Sequence, residues 1–193
     1  FFMEGNSYTA QYVNAFNKLK IVKNLYFTSA NDNKVSEQTL KNLEKYYKKI
    51  FYVTDINNPK KLDVIIKSNI FNSNNIEFIF FNSTPFLYEI DKPAYCISRQ
   101  TQCYTDKQKD IEKRDLKELN EKLKEIDILY SKVNIFDSYN TLCPDNKCLV
   151  YDTIQNRLIY MDKKHLSPEG SMSLMKNLRS FLIKKINIED LNK

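Results

Sequence analysis

The sequence predicts a three-layer α/β/α sandwich around a mostly parallel five-stranded sheet, and three observations predict it. Short apolar runs rich in Ile, Val, Phe and Tyr alternate with longer amphipathic stretches, which is the rhythm of βαβ units. The runs are continuously apolar rather than alternating, as expected of strands covered on both faces. A length of 193 residues, 42% hydrophobic and 28% charged, fits one globular domain, residues 1–193, with its own core.

The strand candidates are Phe1–Glu4, Ile21–Thr28, Ile50–Thr54, Ile76–Asn82 and Val133–Asp137. Between them lie helical stretches: Tyr8–Leu19 after Ser7, Glu37–Lys48 after a Ser36 cap, and Lys60–Ile70 after Pro59, which suits a first helical turn. Asp106–Lys132 reads as one long amphipathic helix, and Pro168–Ile186 starts at a Ser167 cap. Two stretches break the rhythm. Thr84–Thr105 is a long loop bearing Pro and Cys, and Ser138–Asp162 holds a second Cys pair and a small hairpin, Cys148–Tyr151 against Leu158–Met161. In open α/β sheets, ligands bind at the carboxyl ends of strands, so loops of this length there are candidate site walls.

Composition excludes several functions. Gly5 and Gly170 are the only glycines, where average usage of about 7% would give roughly a dozen, so no glycine-rich phosphate loop can be written. His165 is the only histidine, which excludes a His-rich metal cage and gives imidazole chemistry one address. The net charge of +6 is spread among 24 acids with no basic block, a solvated surface rather than a nucleic-acid site. No run approaches the roughly 18–20 apolar residues of a membrane span. The chain opens on Phe1 in a strand with no signal sequence, and reads as a fragment of a longer protein.

The four cysteines form two tight pairs, Cys96 with Cys103 and Cys143 with Cys148. These spacings suit local disulfides across loops better than the usual two-residue zinc knuckle, with zinc and free thiols as the alternatives. Disulfides would indicate an oxidising, extracytoplasmic compartment.

Two motifs could carry chemistry. In Phe1-Phe2-Met3-Glu4-Gly5-Asn6-Ser7-Tyr8 a strand turns into a helix at a serine, placing Oγ at the carboxyl edge of the sheet and the Ser7 N–H in the first helical turn, where an anion is favoured. Ser and Asn are also ordinary helix caps. In Asp162-Lys163-Lys164-His165-Leu166-Ser167, an Asp and a His three positions apart can meet within one tight turn. The carboxylate then holds one ring nitrogen and leaves the other to take a proton from a hydroxyl.

Gly5-Asn6-Ser7 and Asp162-Lys163-Lys164-His165-Leu166-Ser167 together resemble the first and last blocks of SGNH hydrolases, usually G-D-S and D-x-x-H. The chain is most similar to SGNH domains fused behind the membrane-embedded O-acyltransferases that modify bacterial surface polysaccharides. Those domains also carry a strand ending near a proline, as in Asn82-Ser83-Thr84-Pro85, a Cys-bearing loop, a Cys pair like Cys143 and Cys148, and a Tyr-Asp and His-Leu-Ser segment like Tyr160–Ser167. The resemblance implies an SGNH, flavodoxin-like fold, with Ser7 as nucleophile, His165 as general base and then acid, and Asp162 orienting His165.

The sequence departs from the family in two places. Asn6 replaces the usual Asp of the first block. The family builds its oxyanion hole from the serine N–H, a glycine N–H and an asparagine side chain, and no glycine lies between Gly5 and Gly170. Beside the Ser7 N–H, the second donor would come from a non-glycine backbone near Ser29–Asn31, and the third from Asn57 or Asn58. Losing one such donor typically lowers the rate by about 10²- to 10³-fold.

The resemblance implies O-acyl transfer, most simply O-acetyl transfer, to a cell-surface glycan through an acyl-serine, without cofactor or metal. The acyl donor would reach it from an N-terminal membrane acyltransferase domain, with the SGNH domain periplasmic or extracellular and tethered to the membrane. The alternatives are an esterase removing O-acetyl groups and a non-catalytic glycan-binding domain with a degraded oxyanion hole.

Overall fold

The computed structural model describes residues 1–22, 24–29, 35–88, 90, 93–99 and 103–187. Along the chain the elements are β1 (Phe2–Gly5), α1 (Ser7–Ala10), α2 (Val13–Lys18), β2 (Tyr26–Ser29), α3 (Glu37–Glu44), β3 (Ile50–Ile56), α4 (Pro59–Ile66), β4 (Ile76–Asn82), α5 (Tyr95–Ser98), β5 (Cys103–Asp106), α6 (Lys107–Lys113), α7 (Leu116–Leu129), β6 (Val133–Phe136), α8 (Ser138–Leu142), β7 (Lys147–Asp152), β8 (Arg157–Leu158), α9 (Pro168–Ser173) and α10 (Met175–Ile186).

The predicted α/β architecture is the one found. Five strands form a parallel sheet in the order β2-β1-β3-β4-β6, flanked by helices. The central strands β3 and β4 carry the longest apolar runs, and Tyr52, Val53, Phe78, Phe80 and Phe81 are buried in the core. The strand order reverses between β1 and β3, so their carboxyl ends border the crevice where such sheets place ligands. That edge is polar: Thr54 Oγ1 donates to the Glu4 carbonyl (2.6 Å), and the buried Glu4 carboxylate accepts from Tyr52 Oη (2.8 Å).

Several elements differ from the expectation: α4 ends at Ile66 rather than Ile70, and the helix expected over Pro168–Ile186 is divided into α9 and α10. The second strand starts at Tyr26 rather than Ile21, because a strand can begin only where its neighbour does: the ladder with β1 opens at Phe2 and Tyr26, and ahead of it the Phe1 N-terminus donates to the Asn24 carbonyl (2.7 Å). The Ser36 side chain caps no N–H of α3; the Ser36 N–H goes instead to the Glu4 carboxylate (2.9 and 3.1 Å). The predicted helix Asp106–Lys132 splits at Asp115, which adopts a left-handed conformation (φ 50°) that Asp tolerates better than most residues. The break lets α6 bury Asp110 while α7 buries Leu116, Leu119 and Leu123. The helix expected over Tyr8–Leu19 also breaks, at Gln11 and Tyr12, whose side chains both reach Thr84, Gln11 Nε2 at 2.7 Å and Tyr12 Oη at 2.6 Å.

The hairpin is larger than expected. β5 joins it to make a three-stranded antiparallel sheet, β5-β7-β8, and runs directly into α6, whose first turn Asp106 caps through the Lys109 N–H (2.9 Å). The second arm follows β7 as far as Ile159, whose N–H reaches the Val150 carbonyl (2.9 Å), then turns away to pair with Leu166 and Ser167. Disulfides join Cys96 to Cys103 and Cys143 to Cys148, with Cα–Cα distances of 5.8 and 3.9 Å. Among the described residues, no helix is long and apolar enough to cross a membrane.

Candidate active site

β1 ends at Gly5, and the chain turns at once into α1. A Cβ at Gly5 would lie 2.1 Å from Thr9 Oγ1, so only glycine lets the short helix fold back this closely on its own strand. Asn6 is the helix cap, its Oδ1 accepting from the Tyr8 N–H (2.9 Å), which places Ser7 at the first helical position with its hydroxyl exposed. The Ser7 N–H has no intrahelical acceptor there. With four residues, α1 carries little dipole, so the anion-favouring helix expected at this point is weaker than the sequence suggested.

The other half of the site is the tip of a turn. Tyr160 bridges Leu166, the Met161 N–H donates to the His165 carbonyl (3.0 Å), and the Ser167 N–H donates to the Ile159 carbonyl (2.9 Å). The turn continues into α9, where Ser167 Oγ caps the Gly170 N–H (2.9 Å) with Pro168 at the first helical position, as predicted. A Cβ at Gly170 would lie 1.9 Å from the Ile159 carbonyl oxygen. Both glycines therefore serve close packing beside the two motifs.

Ser7 Oγ lies 2.9 Å from His165 Nε2, and His165 Nδ1 lies 2.8 Å from Asp162 Oδ2. Asp162 Oδ1 accepts from the backbone N–H groups of Lys164 (2.7 Å) and His165 (2.8 Å), which fixes the carboxylate within its own turn. Partial burial works to raise the Asp162 carboxyl, but the His165 ring and the two N–H groups outweigh it and hold the carboxyl below its ordinary value. With Asp162 ionised, Nδ1 is the protonated nitrogen and Nε2 presents a lone pair to the Ser7 hydroxyl.

Asn57 and Asn58 follow β3 at the same sheet edge. Asn58 Oδ1 caps α4 at the Lys61 N–H (2.9 Å), and Asn58 Nδ2 donates to Asn57 Oδ1 (2.8 Å). Asn58 is thus committed to the helix, whereas Asn57 keeps its own amide N–H groups. Of the stretch expected to supply a backbone donor, Ser29 ends β2, and Ala30 and Asn31 lie outside the described residues.

Sequence reasoning missed several residues here. Gln11 joins both halves of the site: its Oε1 accepts from the Leu166 N–H (2.7 Å) and its Nε2 donates to Thr84 Oγ1. The Tyr8 ring stacks on the His165 imidazole, with centroids 5.0 Å apart, and on Phe86 at 5.9 Å. The buried Lys61 brings Nζ to 3.3 Å from where a Gly5 Cβ would stand. Only the neighbour position of Tyr8 was a local signal. Beside Ser7 and His165 opens a pocket of about 400 Å³, bordered by Ala10, Met161, Leu166 and Pro168. It is mostly apolar and suits a short acyl chain or one face of a sugar ring.

Residues 3–180 match the family described as "SGNH domain (fused to AT3 domains)". No protein of curated function matches the chain in sequence. A solved structure, the lipopolysaccharide acetyltransferase periplasmic domain of Salmonella ser. Paratyphi A, superposes with a TM-score of 0.59 at 17% identity, covering 95% of this chain and 83% of that one. At that identity the likeness concerns the fold.

Proposed function

Because the chain belongs to the family of SGNH domains fused to AT3 domains, we propose that it is a serine-dependent O-acyltransferase domain, acting on a cell-surface glycan through an acyl-Ser7 intermediate. The observation that carries the reading is the unbroken run of hydrogen bonds from Ser7 Oγ through His165 to Asp162. A serine hydroxyl is inert without an adjacent base, and this chain's one imidazole is beside it.

In the first half-reaction His165 Nε2 takes the Ser7 proton as Oγ attacks the acyl carbonyl carbon. The oxyanion that forms is met by the Ser7 N–H and, in this reading, Asn57 Nδ2. The imidazolium, stabilised by Asp162, passes the proton to the departing oxygen of the donor, leaving the acyl group as an ester on Ser7. In the second half-reaction His165 deprotonates a sugar hydroxyl, which attacks the ester carbonyl; the proton returns to Ser7 Oγ, and the acyl group, most simply acetyl, leaves on the sugar.

The fusion named in the family description supports a membrane acyltransferase domain of the same protein as source of the acyl group. Together with the Salmonella periplasmic domain and the two disulfides, it supports an extracytoplasmic position for residues 1–193 acting as one domain. Ser7 is exposed, which favours a second reading for the isolated domain: water reaches the acyl-enzyme where no sugar is bound, and the domain acts as an esterase.

Incubation with an activated aryl acetate tests the proposal. The expected result is a 42 Da adduct on the Ser7 peptide, about the mass of an added acetyl group, or turnover to acetate, both lost in Ser7→Ala and His165→Ala. Turnover indifferent to both substitutions overturns it, and a folded wild-type domain that forms no adduct favours a non-catalytic glycan-binding role.

A further inference from the structure

The His165 imidazole stands on an exposed turn, and the Asp162 side chain that holds it is 54% exposed. An exposed carboxylate–imidazole contact contributes little by itself and leaves the ring free to leave its partner. The packing around the ring supplies what that bond lacks. Tyr8 stacks on the imidazole at 24° between planes, and Phe86 stacks on Tyr8 at 15°. The Arg114 guanidinium lies 3.9 Å from the Phe86 ring centre.

Arg114 is itself fixed by four groups. Nε and Nη2 form a two-pronged bond to Asp110 (2.9 and 2.7 Å), Nη1 donates to Ser83 Oγ (2.8 Å), and Nη2 donates to the Thr84 carbonyl (2.9 Å) and to Tyr139 Oη. Asp110 is fully buried and Arg114 nearly so. Burying a charge pair is a poor way to gain stability, but it does define the orientation of a planar group. The segment that carries Phe86 is tied to the turn as well, through the Leu87 N–H and the Lys163 carbonyl (2.8 Å).

We propose that Arg114 is a positioning residue of the site, holding the His165 imidazole on Asp162 and Ser7 through the stacked rings of Phe86 and Tyr8. Its plane sets the plane of Phe86, which sets Tyr8, which blocks rotation of the imidazole away from Nδ1–Asp162. The rate component of this proposal rests on His165 being the base of the reaction above; the geometric component does not.

The test uses the single histidine, whose two ring nitrogens give unambiguous nitrogen-15 resonances. In the wild-type domain with the imidazole neutral, His165 should be the Nδ1–H tautomer. Arg114→Lys, which keeps the charge beside Asp110 and loses the plane, and Phe86→Leu, which keeps apolar bulk and loses the ring, should move the neutral ring toward a mixture with Nε2–H. Phe86→Tyr should restore the wild-type tautomer. Turnover of an aryl acetate should fall at least tenfold in kcat for the first two variants, with KM changed less than twofold. Wild-type ring shifts in a folded Phe86→Leu protein overturn the proposal, and that variant decides the matter if Arg114→Lys does not fold. A wild-type domain without turnover counts against the acyl-transfer reading, while the tautomer shifts still decide the positioning role.

Discussion

Ser7 Oγ and His165 Nε2 meet at 2.9 Å although 158 positions separate them in the chain. Gln11 links the helix that carries one to the turn that carries the other, so the contact is part of the packed structure rather than a chance approach of two surface side chains.

Asp162→Asn should lower kcat for an aryl acetate by a factor on the order of 10⁴. The amide can still accept the backbone N–H groups of Lys164 and His165 through Oδ1, so the turn survives. Its NH₂ cannot accept from Nδ1–H, which favours the tautomer whose Nε2 is already protonated and cannot take the Ser7 proton. Loss of activity with the unfolding free energy, from urea titration at neutral pH, lowered by no more than about 1 kcal/mol is the expected pattern.

The lowered Asp162 carboxyl has a stability consequence of definite sign. Burial opposes the charge, but the hydrogen bonds from the His165 ring and from the two N–H groups prevail. A carboxyl lowered on folding stabilises the native state above the unfolded-chain value, and that contribution is lost as pH falls through the native value. Once the imidazole is protonated, the difference in unfolding free energy between wild type and Asp162→Asn should therefore shrink as pH falls below the ordinary Asp value of about 3.9. Urea titrations at stepped pH measure it, and a difference that grows as pH falls below that value refutes the assignment.

The two glycines should tolerate alanine unequally. At Gly170 the new Cβ would meet the Ile159 carbonyl oxygen at 1.9 Å, and backbone must move; Gly170→Ala should be destabilised by about 3 kcal/mol or more. At Gly5 it would meet the Thr9 side chain at 2.1 Å, and a cost of about 1–3 kcal/mol is expected. Because Thr9 and Ser7 share α1, Gly5→Ala should also reduce acylation of Ser7. Denaturant midpoints and adduct formation check both.

Each disulfide closes a short loop, with sequence separations of 7 and 5, so reduction should lower stability by about 2 kcal/mol per bridge on chain-entropy grounds. A chelator should leave the melting temperature unchanged. Reactive thiols in the native protein, or a chelator-sensitive melt, would contradict the pairing.

Much of the fold was legible because its signals are local. The apolar runs at Ile50–Ile56 and Ile76–Asn82 identify buried strands from their own composition, and Ser167-Pro168 marks a helix start through the capping geometry of neighbouring residues. β5 was not legible: Cys103–Asp106 is too short to show a period and becomes a strand only by pairing with β7, which lies more than 40 positions on. The kink at Asp115 was equally hidden, since periodicity continues across it and only the burial of Asp110 with Arg114 requires the change of direction.

The sequence by itself determined the α/β class, the two motifs, and the pairing of Asp162 with His165, since three positions of separation bring them within one turn. Only the tertiary structure decided that Tyr8, Phe86 and Arg114 stack upon the imidazole, that Gln11 ties the two motifs together, and that Asn58 is spent on a helix while Asn57 is not. The physical reason is range. Periodicity, capping and turn formation act over a few residues, whereas ring stacking and buried ion pairs depend on where distant segments come to rest when the sheet closes.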